Sequence, residues 1–184
     1  MKTVVIGNSI VNGFPLKRSR CFTSLLRTKY GIETINKGVN GDTTKGILLR
    51  FEEDALKSGP DLILLLTGTN DFITGGSVSD AVKNVKAMLD LAGDTEVTAL
   101  SPLLTHPALA ARMWMRADYN LVNEKLKEFK AELEKIMPVI DTQSAYADFA
   151  ENVSAREAYI DCIHPGEEGH EVLAAYIAEK LEKR

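Results

Sequence analysis

The sequence predicts an α/β protein in which a five-stranded parallel sheet is covered by helices on both faces. Three observations lead to this prediction. Short apolar segments alternate with longer segments of helical periodicity along the whole chain. The segment Asp61–Leu66 is apolar without alternation, which is typical of a strand buried on both faces. Strands that are separated by helices form parallel sheets, because each connection crosses one face of the sheet.

The first part of the chain supplies three strands and two helices. Gly31 follows a segment of helical character, and glycine often comes directly after the last residue of a helix. Asp42 or Thr43 is expected to cap the next helix. The predicted elements are the strands Thr3–Ile6, Ile32–Ile35 and Asp61–Leu66 and the helices Ser19–Tyr30 and Thr43–Leu56.

The second part supplies two more strands and three helices. Apolar residues from Val78 to Ala92 recur at helical spacing, and Ser77 precedes them as a candidate cap. The same spacing recurs in Asp118–Ile136, whose Glu and Lys residues indicate a solvated face. The remaining predicted elements are the strands Glu96–Leu100 and Pro138–Ile140 and the helix Glu167–Glu182.

Length and composition favour a cytoplasmic protein with one domain, residues 1–184. The net charge of −4 gives no basic surface for nucleic acid. Val4–Ile6 is too short for a signal peptide, and no segment has the length of a membrane span. Cys21 and Cys162 are too few for a disulfide framework, so we expect free thiols in a reducing compartment. The sequence carries no signal for an oligomeric state.

Ser9, Asp161 and His164 have the side chains that nucleophilic acyl transfer requires. Ser9 follows the first strand, and Asp161 and His164 lie in a late loop before Pro165. A serine can act as nucleophile, a histidine as base, and a carboxylate can orient that histidine. The alternatives are that Ser9 is a helix cap or turn residue, and that Asp161 is a cap next to a surface histidine.

Two other histidines compete for the role of the base. His106 also precedes a proline but has no acid close to it in sequence. His170 lies within the last predicted helix with Glu167 and Glu171 nearby, which indicates a solvated helix face. His164 is therefore the favoured base.

Gly41 and Asn70 follow the second and third strands and are candidate hydrogen-bond donors to an oxyanion. Each lies in a dipeptide that is also common in ordinary turns. However, all five candidate residues leave the same edge of the predicted sheet. In such sheets, ligands bind outside the carboxyl ends of the strands.

Four segments together resemble the SGNH hydrolases, which are also called GDSL-type esterases and lipases. The resemblance covers nearly the whole chain, and the segments have the order and spacing of the family. One departure is Asn8, where the family usually has aspartate. Asparagine keeps the shape and loses the charge, so we expect only a local change in hydrogen bonding. The segments are Gly7-Asn8-Ser9-Ile10, Asn36–Thr43, Gly68-Thr69-Asn70-Asp71 and Asp161–Pro165.

The resemblance implies a flavodoxin-like three-layer α/β/α fold and a role for each matching residue. Ser9 is then the nucleophile, His164 the base and Asp161 its orienting acid. The backbone N–H groups of Ser9 and Gly41 and the side chain of Asn70 form the oxyanion hole. The implied activity is hydrolysis of carboxylic esters through an acyl-enzyme.

Other members of the family act as lysophospholipases, acyl-thioesterases or carbohydrate acetylesterases, so these activities remain alternatives. A non-catalytic ligand-binding member is the alternative from a different class. We expect small or short-acyl esters as substrates, because the chain is compact and has no lid insertion. Neither a cofactor nor a metal is expected. A metal site of Asp161, Cys162 and His164 lacks a second group of ligands, and the glycine patterns of nucleotide sites are missing from the sequence.

Several residues are candidates for lining the substrate pocket. The segment Leu103–Met115 is long for a connection between a strand and a helix, so it is expected to border the site. Its methionines and tryptophan suit an apolar group, although they could instead begin the next helix and pack on the core. The candidates are Asn8, Phe72, Ile73, Met113 and Trp114, with Met115 beside them.

Overall fold

A computed structural model of the protein describes residues 1–113 and 116–183. Its strands are β1 (Thr3–Gly7), β2 (Thr34–Gly38), β3 (Leu62–Leu66), β4 (Glu96–Leu100) and β5 (Val139–Ile140). Its helices are α1 (Ser9–Asn12), α2 (Phe22–Tyr30), α3 (Thr44–Phe51), α4 (Thr69–Ile73), α5 (Val78–Ala92), α6 (Pro107–Arg112), α7 (Tyr119–Leu133), α8 (Thr142–Glu151), α9 (Ala155–Ala158) and α10 (Glu167–Glu182).

The five strands form one parallel sheet in the order β2-β1-β3-β4-β5. This order is that of flavodoxin-like folds, and it confirms the predicted fold class. The strand order reverses between β1 and β3. From β1 the chain continues to β2 at one edge of the sheet, and from β3 it continues to β4 and β5 at the other edge. Ligands bind at such a switch point in open α/β sheets.

The core is divided by the sheet into two apolar layers. Side chains alternate along β1, so Val5 faces the layer under α2, α8 and α10, and Val4 and Ile6 face the layer under α3, α5 and α7. Leu64 and Leu65 on β3 alternate in the same way. This burial on both faces explains why Leu62–Leu66 is apolar at every position.

The predicted elements are present with shifted ends. β2 lies two residues later than predicted, because Thr34–Gly38 pairs with β1 in place of Ile32–Ile35. The predicted second helix is α-helical over Thr44–Phe51 and continues as a π-helical turn over Glu52–Leu56. Three predicted signals are confirmed. Gly31 ends α2 at a φ of 69°, the Thr43 side chain caps α3, and the Ser77 side chain caps α5.

Five of the α-helices in the described residues were not predicted from the sequence. Four of them are only four to six residues long, which is too short for a recognisable helical period. The fifth, α8, is capped by Asp141, whose side chain accepts a hydrogen bond from the Ser144 N–H. Polar residues interrupt the apolar stripe of α8, so its helical period was not recognised in the sequence. Among the described helices, none is long and apolar enough to span a membrane.

Candidate active site

Three strands end in register at the carboxyl edge of the sheet. Gly7 at the end of β1 is paired with Gly38 of β2 on one side and with Leu66 of β3 on the other. The loops that follow these strands therefore begin side by side. They carry Ser9, Gly41 and Asn70, as the sequence predicted for this edge.

Ser9 is the first residue of α1, and Asn8 is its cap. The Asn8 Oδ1 accepts a hydrogen bond from the Ile10 N–H at 3.0 Å. Because Ser9 occupies the first helical position, its own N–H has no partner within the helix. Asn8 is 1% exposed, so it supports the turn and does not line a pocket, contrary to expectation.

His164 connects Ser9 to Asp161. Its Nδ1 lies 2.6 Å from Asp161 Oδ2, and its Nε2 lies 2.8 Å from Ser9 Oγ. A carboxylate can only accept, so the imidazole proton is on Nδ1. Nε2 is then the acceptor, and the Ser9 hydroxyl donates to it. This is the geometry in which a histidine can remove the proton of a nucleophilic serine.

Asp161 is held in its charged form by the groups that donate to it. Burial by itself would raise the pKa of this carboxyl. Hydrogen bonds from the His164 ring and from the backbone N–H groups of His164 and Ile163 outweigh burial and lower the pKa to about 2. Asp161 therefore remains a carboxylate at any pH near neutrality, as an orienting acid requires.

Buried tyrosines fix the loop that carries Asp161 and His164. The Tyr146 hydroxyl donates to the Ala158 carbonyl at 2.5 Å, and the Tyr159 hydroxyl donates to the Leu104 carbonyl at 3.0 Å. The Ile160 N–H donates to the His164 carbonyl at 2.9 Å, which closes the loop on itself. The position of His164 is thus determined by residues of the β4–α6 connection and of α8.

Gly41 and Asn70 come together through Asp42, the residue that follows Gly41. Asn70 Nδ2 donates to the Asp42 carbonyl at 2.8 Å, which leaves a second hydrogen on that amide. Gly41 has a φ of 77°, and a Cβ atom added there would meet nothing within 4 Å. Its backbone is therefore open to a ligand, in a conformation that favours glycine.

Asp71, the residue after Asn70, connects the Asn70 segment to the start of α3. It is 9% exposed, and its carboxylate accepts from the Thr44 N–H at 2.9 Å and from the Thr44 hydroxyl at 2.6 Å. Thr44 in turn accepts from Asn84 Nδ2 of α5 at 2.9 Å. Burial raises the pKa of Asp71, which the hydrogen bonds from Thr44 only partly counteract.

Arg50 of α3 holds the ends of β1 and β2 and the Gly41 loop. Its guanidinium donates to the carbonyl of Gly7 at 3.1 Å and to that of Lys37 at 3.0 Å. It also pairs with the carboxylates of Asp42 at 2.7 Å and Asp54 at 2.8 Å. One side chain thus fixes the strand ends on which Ser9 and Gly41 depend.

Comparison with known proteins assigns the family. The model of the GDSL-like lipase/acylhydrolase family matches residues 5–172. The chain belongs to this family. The match also confirms the resemblance to the SGNH hydrolases, and it makes this GDSL-like protein an ester-hydrolysing enzyme.

Named relatives of the GDSL-like enzyme differ in substrate. The sequence of the present protein is 24% identical to that of an arylesterase of Vibrio mimicus, over 99% of this chain and 88% of the relative. It is 27% identical to an acetylxylan esterase of Geobacillus stearothermophilus, over 81% of this chain and 72% of the relative. A solved member of the lipolytic protein G-D-S-L family from Veillonella parvula DSM 2008 has the same fold, with a TM-score of 0.80 at 22% identity and full coverage of both chains.

The residues predicted to line the substrate pocket of this GDSL-like enzyme lie in different places. Phe72 is 3% exposed and packs edge-on against Phe129 of α7, so it belongs to the core. Ile73 is partly buried against both apolar layers. Met113 follows α6 and is 48% exposed. Trp114 and Met115 lie outside the described residues.

The other two histidines of the enzyme have structural positions. The His106 ring caps α6, because its Nδ1 accepts from the Leu109 N–H at 3.2 Å. His170 is fully buried, so the predicted solvated face is wrong. Its Nδ1 accepts from the Phe22 N–H of α2, and its ring stacks on that phenylalanine. The glutamates on either side of His170 had suggested exposure. However, Glu171 is one residue further along the helix and faces about 100° away from the buried ring, and Glu167 is the first residue of α10, with a side chain 55% exposed at the end of the helix.

Sequence reasoning did not identify Phe14, Arg50 or Asp71 as parts of the site. The Phe14 ring contacts the His164 ring edge-on, with 5.1 Å between ring centroids. Arg50 and Asp71 act through hydrogen bonds to other segments. A single Phe, Arg or Asp has no local pattern that would reveal these contacts, although Asp71 does lie within the Asn70 segment of the family.

Proposed function

We propose that the protein is a serine esterase that hydrolyses small or short-acyl carboxylic esters through an acyl-enzyme. The observation that carries the proposal is the chain of two hydrogen bonds from Ser9 to His164 and from His164 to Asp161, at 2.8 and 2.6 Å. Ser9 is the nucleophile, His164 the general base, and Asp161 orients the imidazole.

The proposed reaction has two halves. Ser9 Oγ attacks the ester carbonyl while its proton passes to His164 Nε2. The tetrahedral intermediate collapses when the C–O bond to the alcohol breaks and His164 returns the proton to the leaving oxygen. Water then attacks the acyl-enzyme with the same assistance, and the carboxylic acid leaves as Ser9 recovers its proton. Asp161 stays ionised throughout.

The proposed oxyanion hole has three donors from three loops. They are the backbone N–H of Ser9, the backbone N–H of Gly41 and the side-chain amide of Asn70. This assignment is supported by three observations. Ser9 is the first residue of α1, so its N–H has no partner within the helix. The backbone of Gly41 is open, and the Asn70 amide has a second hydrogen besides the one given to Asp42. Such donors lower the barrier because they are already oriented toward the charge that develops.

The proposal covers residues 1–184 acting as one hydrolase domain in the cytoplasm. The two buried cysteines are free thiols, which supports a reducing compartment. A small alcohol or short acyl group is proposed because Ser9 and His164 are each only 8% exposed, so little of the nucleophile and base is open to a large substrate. Long acyl esters, thioesters and acetylated sugars are the competing substrates within this family.

The test is hydrolysis of p-nitrophenyl esters from acetate to palmitate by the wild type and the Ser9→Ala variant. We expect the wild type to turn over the short esters best and the variant to lose activity by several orders of magnitude. Ser79→Ala, which removes an exposed hydroxyl from α5, is the matched control and should behave as the wild type. A fluorophosphonate probe followed by intact-mass measurement should modify the wild type once and leave Ser9→Ala unmodified.

Turnover that persists in Ser9→Ala would exclude the serine mechanism. A folded wild type that neither hydrolyses these esters nor reacts with the probe would favour the non-catalytic ligand-binding alternative. Labelling of Ser9 without p-nitrophenyl ester turnover would instead point to a narrow substrate such as an acetylated sugar. A rate that rises from acetate to palmitate would show that the short-acyl preference is wrong.

A further inference from the structure

Phe14 is attached to the nucleophile through the backbone. After α1, Gly13 adopts a left-handed conformation with a φ of 90°, which turns the chain back toward the start of the helix. The N–H of Phe14 then donates to the Ser9 carbonyl at 3.0 Å. The phenyl ring therefore has a defined position relative to Ser9.

The Phe14 ring contacts the imidazole of His164 and is also open to solvent. The two rings meet edge-on at an interplanar angle of 71°, with their centroids 5.1 Å apart, and Phe14 remains 44% exposed. An isolated exposed apolar side chain needs no special explanation in a folded protein. This one differs because it contacts the ring that also hydrogen-bonds to the serine.

Ile160 adds a second exposed apolar side chain on the other segment next to His164. It is 42% exposed, and its N–H donates to the His164 carbonyl. The segments of Phe14 and Ile160, which both adjoin His164, thus present apolar surface. The oxyanion donors proposed above lie on the Gly41 and Asn70 loops, which are different segments.

The proton path determines which part of an ester comes close to Phe14. The proton on Nε2 must pass to the leaving oxygen, so the alcohol part of the substrate has to lie at the imidazole. The ring that flanks this imidazole then borders the leaving group rather than the carbonyl oxygen.

We propose that Phe14 forms a wall of the leaving-group site, and that the preferred leaving group is aromatic. This inference rests on the proposed serine-esterase function and extends it to the alcohol part of the substrate. An aryl ring can meet the exposed part of Phe14 in an offset or edge-to-face arrangement, a contact that aliphatic alcohols cannot make. Such a contact gives a preference of up to about tenfold.

The experiment compares kcat/KM for acetate esters of different alcohols. Phenyl acetate supplies the aryl leaving group, and 2,2,2-trifluoroethyl acetate supplies an activated leaving group without a ring. The enzymes are the wild type, Phe14→Ala, Phe14→Tyr, and Leu91→Ala as the matched control. Leu91 is an apolar side chain, 42% exposed, near the end of α5 at the opposite edge of the sheet.

We expect Phe14→Ala to lose about five- to tenfold more kcat/KM on phenyl acetate than on trifluoroethyl acetate. Phe14→Tyr keeps the ring and should keep the wild-type ratio, as should Leu91→Ala. Phenol, the product of the first ester, should inhibit the wild type competitively and bind Phe14→Ala more weakly by a similar factor.

Two results would overturn the inference while leaving the serine esterase intact. An equal loss on both acetates would reduce Phe14 to a support for His164. A loss on phenyl esters that grows from acetate to hexanoate would place Phe14 on the acyl side. If wild-type hydrolysis of these esters is absent or survives in Ser9→Ala, the proposed function fails, and this inference fails with it.

Discussion

Asn70 is the single proposed oxyanion donor that belongs to a side chain, so a substitution can remove it. We expect Asn70→Ala to lower kcat by about 10²–10³ with the fold retained, because one donor to the developing charge is lost. The measurement is kcat on p-nitrophenyl acetate together with a thermal melt. Asn120→Ala, at an exposed position in α7, is the control.

An Asn70→Ala variant with wild-type kcat would remove this residue from the oxyanion hole. The side chain also donates to the Asp42 carbonyl, so a loss of both stability and kcat would indicate that the loop had moved. A large fall in kcat at unchanged melting temperature is the result that supports a direct role.

Asn8 keeps a helix cap at the position where it departs from the family pattern. The position usually holds aspartate in SGNH hydrolases, and here an amide oxygen caps α1 by accepting from the Ile10 N–H. Aspartate and asparagine serve about equally well as helix caps. The hydrogen bond that sets the direction of Ser9 is therefore retained without the charge.

At the scale of elements, the contact between α10 and α2 contains a buried histidine that responds to pH. Burial, together with a smaller contribution from the nearby His164, lowers the pKa of His170 from 6.5 to about 4. Its Nε2 has no hydrogen-bond partner among the described residues. Adding a proton to this ring would place a charge between two packed helices.

The direction of the pH effect follows from the lowered pKa. Between pH 6.5 and 4 the unfolded chain binds a proton at His170 that the folded protein does not. The stability of the fold is therefore complete above pH 6.5 and falls as the pH is lowered through this window. We expect the free energy of unfolding to fall by about 2–3 kcal/mol from this residue alone by pH 4.5.

Urea unfolding at pH 7 and pH 4.5 measures this effect. His170→Gln keeps an acceptor for the Phe22 N–H but cannot take up a proton, so its stability should fall less with acid than that of the wild type. His106→Gln, which changes the partly buried cap of α6, is the control. Equal acid sensitivity of His170→Gln and the wild type would contradict the prediction.

At the scale of the whole molecule, the active site depends on how the strand ends are held together. Ser9 and His164 are 155 residues apart in sequence, and Arg50 holds the ends of β1 and β2 from a third segment. We expect Arg50→Met to lower the free energy of unfolding by about 2–3 kcal/mol, since charged hydrogen bonds are lost. We also expect kcat to fall about ten- to a hundredfold as the Gly41 loop shifts.

The measurements are urea unfolding and the separate values of kcat and KM. Arg27→Met, at an exposed position of α2, is the control and should leave both unchanged. Arg50→Lys should recover part of the stability but less of kcat, because a single ammonium cannot bond both carbonyls and both carboxylates in the same geometry. A stability loss with unchanged kcat would limit Arg50 to a role in folding.

The sequence determined the layout of the protein. The alternation of strand and helix predicts a parallel sheet, and a parallel sheet places every residue that directly follows a strand at the same edge. For this reason Ser9, Gly41 and Asn70 could be assigned to one edge from local patterns alone. Asp161 and His164 could be joined to them because the late loop carries an acid and a histidine three residues apart.

The tertiary structure decided which of these side chains contact the Ser9–His164 pair and which are buried in the core. Phe72 follows Asn70 closely but is buried on Phe129, and Phe14 was overlooked but contacts His164. His170 is buried in a helix whose sequence suggested exposure. These outcomes depend on contacts between segments far apart in the chain, and local periodicity carries no information about which distant surface a side chain will meet.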